Sequence, residues 1–136
     1  MKELFADTFY WIALLNPYDG FHTAVQNFSI DDRLVTSLAV QIEVMDAFSG
    51  SEYLRKLGGH FWEGCLNNSN INVIPLDTTL LERTMGLFKC RPDKTWSFTD
   101  CISFIIMQQR NIALALTADQ HFRQAGFEIA FPLSDS

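Results

Sequence analysis

The chain has 136 residues, nearly half of them hydrophobic, which predicts a single domain over residues 1–136 with a sizeable core. Its formal net charge of −6 argues against binding nucleic acid through a generally basic surface, although acidic residues that hold a metal would contribute to that charge. Three widely spaced cysteines indicate neither a disulfide framework nor a zinc site, and no apolar run approaches the ~20 residues of a membrane span, so we expect a cytoplasmic protein without membrane contact.

Short apolar runs alternate along the chain with longer segments of helical periodicity. In chain order the pattern predicts strand 4–6, helix 9–15, helix 21–28, strand 33–36, helix 38–48, helix 53–66 with a kink at 58–59, strand 70–76, helix 79–89, helix 97–110, strand 112–116, helix 119–124 and strand 127–130. Thr79 and Glu82 have the spacing of a capping box at the start of their helix. This alternation predicts a three-layer α/β/α fold around a central, mostly parallel sheet of four to five strands.

Four carboxylates stand at the ends of apolar runs or within an apolar helix: Asp7, Glu43, Asp100 and Asp119. If the strands that end near Asp7 and Asp119 are parallel neighbours, both side chains emerge at the carboxyl edge of the sheet, where such sheets bind ligands. Two carboxylates about 4 Å apart repel by ~4 kcal/mol at an effective dielectric constant of about 20. A cluster of these acids therefore indicates a bound cation.

Each acid also has a purely structural interpretation. Ser97 and Asp100 have the spacing of a capping box, and Asp7 and Asp119 are each placed to cap a following helix. Glu43 is harder to explain in this way, because it is expected to lie partly buried beside the apolar stripe of its helix, which we assign to Leu38, Ile42, Met45 and Phe48.

The order of these motifs resembles the PIN-domain nucleases, a family that includes the VapC-type toxins of bacterial toxin-antitoxin pairs. The resemblance covers nearly the whole chain and is carried by Asp7 after the first strand, the D-x-x-H turn Asp19 to His22, the Thr36 and Glu43 pair, the S-F-x-D segment Ser97 to Asp100, and the T-x-D segment Thr117 to Asp119 followed by HFRQAGF. One departure is Gln41, which takes a place where the family usually has an aliphatic residue.

The resemblance implies a ribonuclease that binds Mg²⁺ or Mn²⁺ and hydrolyses phosphodiester bonds. Asp7 and Asp100 would be the principal metal ligands, with Glu43 and Asp119 completing the catalytic cluster. Hydroxyl groups would hold the carboxylates in orientation, and the candidates are Thr8, Ser97 and Thr117. The implied partners are an RNA substrate, an antitoxin peptide and a second copy of the chain in a homodimer.

Further residues are candidates for contact with the substrate. Lys89, Arg91 and Lys94 form a short basic loop just before Ser97, which either contacts RNA phosphates or is simply solvated. His121 stands two residues after Asp119 and is a candidate for touching the substrate, whereas the other two histidines are expected to be structural or on the surface. An aromatic group around the Gly-Gly pair is too large for a small domain to bury entirely and predicts a partner surface: Phe48, Tyr53, Phe61 and Trp62.

Two other interpretations compete with the nuclease. A PIN-like module that binds RNA or protein without cutting would have the same fold, and the complete set of acids argues against it. An unrelated α/β fold with well-capped helices would leave the four acids apart. Whether the acids converge therefore discriminates between a site and a set of helix caps.

Overall fold

The computed structural model describes residues 2–133 and contains a central sheet with helices on both faces. Its elements are β1 (Glu3–Ala6), α1 (Thr8–Leu15), α2 (His22–Gln26), β2 (Arg33–Ser37), α3 (Leu38–Ala47), α4 (Glu52–Asn67), β3 (Ile71–Ile74), α5 (Thr78–Cys90), α6 (Phe98–Arg110), β4 (Leu114–Leu116), α7 (Gln120–Gln124) and β5 (Glu128–Ile129). The predicted three-layer α/β/α fold is confirmed.

The sheet has five strands in the order β3-β2-β1-β4-β5, and every pairing is parallel. Successive strands step in one direction from β1 to β3 and in the opposite direction from β4 to β5. Because parallel crossovers are right-handed, this reversal places the first helices on one face of the sheet and the later helices on the other. The reversal lies between β1 and β4, which pair through Phe5 with Ala115 and Ala6 with Leu116. Open sheets bind ligands at such a point.

The core fills the space between the sheet and the two helix layers. Phe5, at the centre of β1, and Phe104 of α6 are completely buried. Phe104 packs edge-on against Phe122 of α7 with ring centroids 4.9 Å apart, and against Trp96 at 5.0 Å. This aromatic stack couples α6, α7 and the loop before α6 to the centre of the sheet, so it positions the residues that follow β1 and β4.

Two predicted details of the first helix layer are wrong. Helix α4 runs without interruption through Gly58, and a Cβ added there would lie 3.3 Å from Met45 Cε and 3.4 Å from Phe48 Cβ. The glycine therefore serves close packing of α3 against α4 and does not mark a kink. The predicted apolar stripe of α3 is wrong at Ile42, which is 55% exposed, whereas Phe48 is buried as predicted. The buried residues within α3 are Ala39, Val40, Gln41 and Val44.

The predicted capping box at Thr79 is also wrong. Helix α5 begins at Thr78, and Asp77 is its N-cap, since the Asp77 carboxylate accepts a hydrogen bond from the backbone amide of Leu80 at 2.8 Å. Aspartate is a strong N-cap residue, and it lies two positions upstream of the threonine that the pattern selected.

The aromatic group in α3 and α4 divides into two parts. Phe48 and Phe61 are buried at 2% and 3% exposure, while Tyr53 and Trp62 stay on the surface at 46% and 40%. Only the second pair can contribute to a partner surface. Across residues 2–133, none of the helices has the length and apolar character needed to cross a membrane.

Candidate metal centre

The strand order brings Asp7 and Asp119 to the same edge of the sheet. Asp7 directly follows β1, and Asp119 follows the adjacent strand β4 after two residues. The Thr117 hydroxyl, also beyond the end of β4, donates a hydrogen bond to Asp7 Oδ2 at 3.0 Å. This bond links the two strand ends across the position where the connections reverse.

One open cavity at this edge is lined by all four acids of the predicted cluster. Its lining also includes the three hydroxyl residues predicted to orient them and His121, so that the predicted residues around it are Asp7, Thr8, Glu43, Ser97, Asp100, Thr117, Asp119 and His121. These residues come from four separate stretches of the chain, which only the fold brings together. The interpretation in which the acids serve solely as scattered helix caps is therefore wrong.

Asp7 is the most buried of these acids, with 9% of its surface exposed. Burial raises the pKa of Asp7 to about 7, and the negative charges of Asp100 and Glu43 add to that increase. Hydrogen bonds from the Thr8 backbone and the Thr117 side chain oppose it in part. Although Asp7 occupies the N-cap position of α1, its side chain makes no capping hydrogen bond there. Capping therefore does not explain why a carboxylate is buried at this position.

Asp100 has both of the roles considered for it. The Ser97 side chain accepts from the Asp100 amide, and Asp100 Oδ2 accepts from the Ser97 amide, so the predicted capping box at the start of α6 is present. The same carboxylate lines the cavity. A capping box holds the side chain in one orientation, so the two roles support each other.

Glu43 reaches the cavity from α3. It is exposed rather than partly buried as expected, because the buried face of α3 is one residue out of step with the predicted stripe. The Thr8 hydroxyl at the start of α1 donates a hydrogen bond to Glu43 Oε1. This bond ties the first turn of α1 to α3 and holds the carboxylate towards Asp7.

His121 lies between two of the acids. Its Nδ1 is 2.9 Å from Asp100 Oδ2 and 3.5 Å from Asp119 Oδ1, and its backbone amide donates to Asp119 Oδ1 at 2.8 Å. Asp100, Asp119 and His121 each offer a ligand atom within 4.8 Å of the others. The sequence placed His121 near the site, but it gave no signal for a contact with Asp100, which lies 21 residues earlier.

Two residues of the resembling motifs, Thr36 and His22, stabilise the scaffold and do not line the cavity. The Thr36 hydroxyl donates to the Ala6 carbonyl at 2.9 Å and so fastens β2 to β1. In the D-x-x-H turn, His22 Nδ1 lies 2.7 Å from the Ala13 carbonyl, which ties α2 to α1. Gln41, the departure from the motif pattern, is buried, and its side chain lowers the pKa of the Cys65 thiol in opposition to the increase that burial causes.

The three residues of the predicted basic loop line a neighbouring cavity instead of the acidic one, and the first of them, Lys89, belongs to the last turn of α5 and not to a loop. Lys89, Arg91 and Lys94 surround a cavity between the end of α5 and the start of α6. Thr95 lines both cavities, and its hydroxyl oxygen lies 3.4 Å from His121 Nε2. Sequence reasoning missed Thr95, although its position two residues before Ser97 places it beside the site.

The donor set fits a hard divalent cation. Mg²⁺ is bound by carboxylate oxygens and water, usually through one or two carboxylates, and Mn²⁺ also accepts an imidazole nitrogen. The buried Asp7 carboxylate has two further acids nearby that raise its pKa, so its ionised form needs positive charge close by. A divalent ion in the cavity would supply that charge.

Comparisons with known proteins agree with this architecture. Residues 4–128 match the family model of the PIN domain. VapC20 of Mycobacterium tuberculosis, a toxin that cleaves the sarcin-ricin loop, aligns with a TM-score of 0.83 at 23% identity, over 91% of this chain and 95% of that one. VapBC2 of Rickettsia felis, bound to a DNA fragment from its promoter, aligns with a TM-score of 0.67 at 11% identity, over 94% and 97%. FitAcB of Neisseria gonorrhoeae gives 0.64 at 14% identity, over 95% and 97%. Comparison with curated protein sequences gives no significant match.

Proposed function

Because the chain belongs to the PIN-domain family, we propose that it is a ribonuclease that depends on Mg²⁺ or Mn²⁺. The observation that carries this proposal is the convergence of Asp7, Glu43, Asp100 and Asp119 on one cavity at the carboxyl edge of the sheet. Asp100 and Asp119 also cap their helices, but Asp7 and Glu43 make no capping hydrogen bond, and the like charges of four acids around one cavity repel one another. They make sense as a site that is completed by a cation and a phosphate.

The side chains have separate roles in this proposal. Asp7 and Asp100 hold the ion, with Glu43 and Asp119 completing the cluster. The hydroxyls of Thr8 and Thr117 hold Glu43 and Asp7, and Ser97 holds Asp100 through the capping box. A bound Mg²⁺ or Mn²⁺ would help to activate water and neutralise charge on the phosphoryl oxygens. The protein itself supplies a fixed arrangement of oxygens, so the substrate enters a site that does not have to reorganise.

The biological role that we propose is that of the toxin of a toxin-antitoxin pair. The similarity to VapC20, which cleaves the sarcin-ricin loop, supports an RNA substrate, and the similarity to the VapBC2 and FitAcB structures supports an antitoxin partner. The non-catalytic alternative gains no support, because none of the four acids is replaced.

Cleavage of RNA by the purified chain tests the proposal. Stem-loop and total RNA would be incubated with Mn²⁺ or with EDTA, and new RNA ends would be mapped. We expect discrete cleavage with Mn²⁺ alone. Cleavage that persists in EDTA would contradict the proposal.

A pair of variants on α3 provides the matched control. Glu43→Gln removes a charge that faces the cavity, and we expect Mn²⁺-dependent cleavage to fall by about 10-fold or more. Asp46→Asn removes the same charge three residues further along the helix, at an exposed position outside the cavity, and should leave cleavage unchanged. Equal losses in the two variants would mean that net charge, and not the site, controls activity.

A further inference from the structure

We propose that the cavity between α5 and α6 binds a nucleobase of the RNA substrate, next to the site of cleavage. This inference rests on the proposed ribonuclease function and names a subsite for it. The cavity has a volume of about 370 Å³, within the range of small-molecule pockets. Its walls are formed by Leu87, Phe88, Trp96 and Cys101, and its charged lining is formed by Lys89, Arg91 and Lys94.

Phe88 is the aromatic side chain that is open to a ligand. It is 46% exposed although it is large and apolar, and its ring packs edge-on against Phe98 with centroids 5.7 Å apart. An edge contact fixes the ring without covering both of its faces. Exposed aromatic rings of this kind are the surfaces on which proteins stack the bases of single-stranded nucleic acids.

Arg91 also lines this cavity, and its side chain is held in position by Trp96 and Asp93. Its guanidinium group lies 5.1 Å from the centre of the Trp96 ring and makes two hydrogen bonds of 3.0 Å to the Asp93 carboxylate. These contacts fix the plane of the group. A fixed guanidinium plane beside an aromatic ring can stack on a base, as guanidinium planes do in RNA recognition.

The charge of the loop suits a nucleotide rather than an apolar peptide. Lys89, Arg91 and Lys94 are balanced by Asp93 alone, so this segment is positive within a chain whose formal net charge is −6. The adjoining cavity is acidic. A local positive region beside it is therefore where a polyanion can be held, and the apolar wall adds contact with a base.

The base cavity and the acidic cavity share a lining residue. Thr95 lines both of them, and Cys101, in the wall of the base cavity, directly follows Asp100. An RNA strand with one phosphate at the carboxylates can therefore place a neighbouring base against Phe88. Because stacking accepts any base, this subsite contributes affinity and position, with little discrimination between sequences.

Titration with nucleotides in metal-free buffer tests the subsite. The probes are AMP, UMP and, as the control without a base, ribose 5-phosphate, and the readout is the NMR shift of amide signals from residues 87–96 and of the Trp96 indole. We expect both nucleotides to give saturable shifts, with AMP binding about 10 times more tightly than ribose 5-phosphate. Equal affinity for ribose 5-phosphate, or no saturable shift with either nucleotide, would overturn the proposal.

Three variants of α5 separate the subsite from general effects. Phe88→Ala should weaken AMP binding by about 10-fold, and Phe88→Trp should preserve it. Met85→Ala is the matched control, because Met85 is also exposed on α5, at 41%, and does not line the cavity. Equal weakening by Met85→Ala and Phe88→Ala would overturn the assignment to this cavity.

This test does not depend on cleavage, so the two proposals can fail separately. RNA cleavage with no AMP binding would support the ribonuclease function and contradict the proposed subsite. AMP binding that depends on Phe88, in a chain that cuts no RNA, would support the cavity and contradict the ribonuclease. If both proposals hold, Phe88→Ala should raise the KM for RNA and leave kcat nearly unchanged, since the carboxylates stay intact.

Discussion

Replacing Asp7 with asparagine should stabilise the metal-free protein at neutral pH. In the folded protein the pKa of Asp7 is raised from its ordinary value of 3.8 to about 7, chiefly because the carboxyl group is buried. The folded state therefore holds the Asp7 proton more tightly than the unfolded chain does. As the pH rises through this range, the native protein must ionise a buried carboxyl group, and its stability falls.

The size of this effect follows from the two pKa values. Ionisation of Asp7 should lower the free energy of unfolding by about 2–3 kcal/mol as the pH rises from 5 to 8. Asparagine is uncharged and can still accept a hydrogen bond from the Thr117 hydroxyl, so the Asp7→Asn variant should not show this loss of folding stability. The variant should thus gain about 2–3 kcal/mol over the wild type across that interval.

Urea unfolding in EDTA at several pH values would measure the difference. Because the charges of Glu43 and Asp100 raise the pKa of Asp7, the difference between the two curves reports Asp7 together with its interaction with these two acids. Asp46→Asn is the control for the loss of one carboxylate at an exposed position outside the cavity. A difference in the free energy of unfolding that does not depend on pH for Asp7→Asn would refute the argument that ionisation of the buried Asp7 carboxyl group destabilises the metal-free protein. Saturating Mn²⁺ should stabilise the wild type more than the variant, because the ion binds only the folded site.

Three further predictions concern the site, the loop and the backbone. Asp100→Asn should abolish Mn²⁺-dependent RNA cleavage. It should change the free energy of unfolding by less than about 1 kcal/mol, because asparagine can still accept a hydrogen bond from the Ser97 amide. Loss of stability at unchanged activity would instead support a role in capping alone. Replacing Lys89, Arg91 and Lys94 together with glutamine should weaken RNA binding for every sequence and flatten the dependence of binding on salt, as fluorescence anisotropy would show. An unchanged salt slope would mean that these residues are only solvated. Urea unfolding should show Gly126→Ala to be destabilising by about 1 kcal/mol, because φ is +99° there, and Gly59→Ala to be stabilising by up to about 1 kcal/mol, because that helical position is open; the reverse order would contradict both arguments.

The sequence predicted the fold because its signals are local and repeated. Five apolar runs alternate with helical segments, and a parallel, helix-covered sheet is the architecture that buries such runs. Asp7 and Asp119 were selected because each follows a buried strand. Strand order is a different matter, since the pairing of β1 with β4 joins segments more than 100 residues apart. Local pattern does not give that pairing, so the sequence predicts the approach of Asp7 to Asp119 only on the condition that their strands are neighbours.

The errors arose where the tertiary structure overrides a local pattern. Gly58 looks like a helix breaker, but the close approach of α3 to α4 requires its missing side chain. Gln41 is polar and yet buried, because it lies on the face of α3 that also buries Val40 and Val44. His121 could be placed near Asp119 by spacing, whereas its contact with Asp100 depends on how α6 and α7 pack. Such contacts carry no signature in a single sequence.

Anomalous scattering from crystals soaked in Mn²⁺ would locate the ion without reference to activity. We expect a manganese peak in the acidic cavity, within ligand distance of oxygens from Asp7 and Asp100, and loss of that peak in Asp100→Asn. Absence of manganese from the cavity at saturating concentration, or a peak only at a distant surface site, would contradict the claim that these four carboxylates form a metal centre.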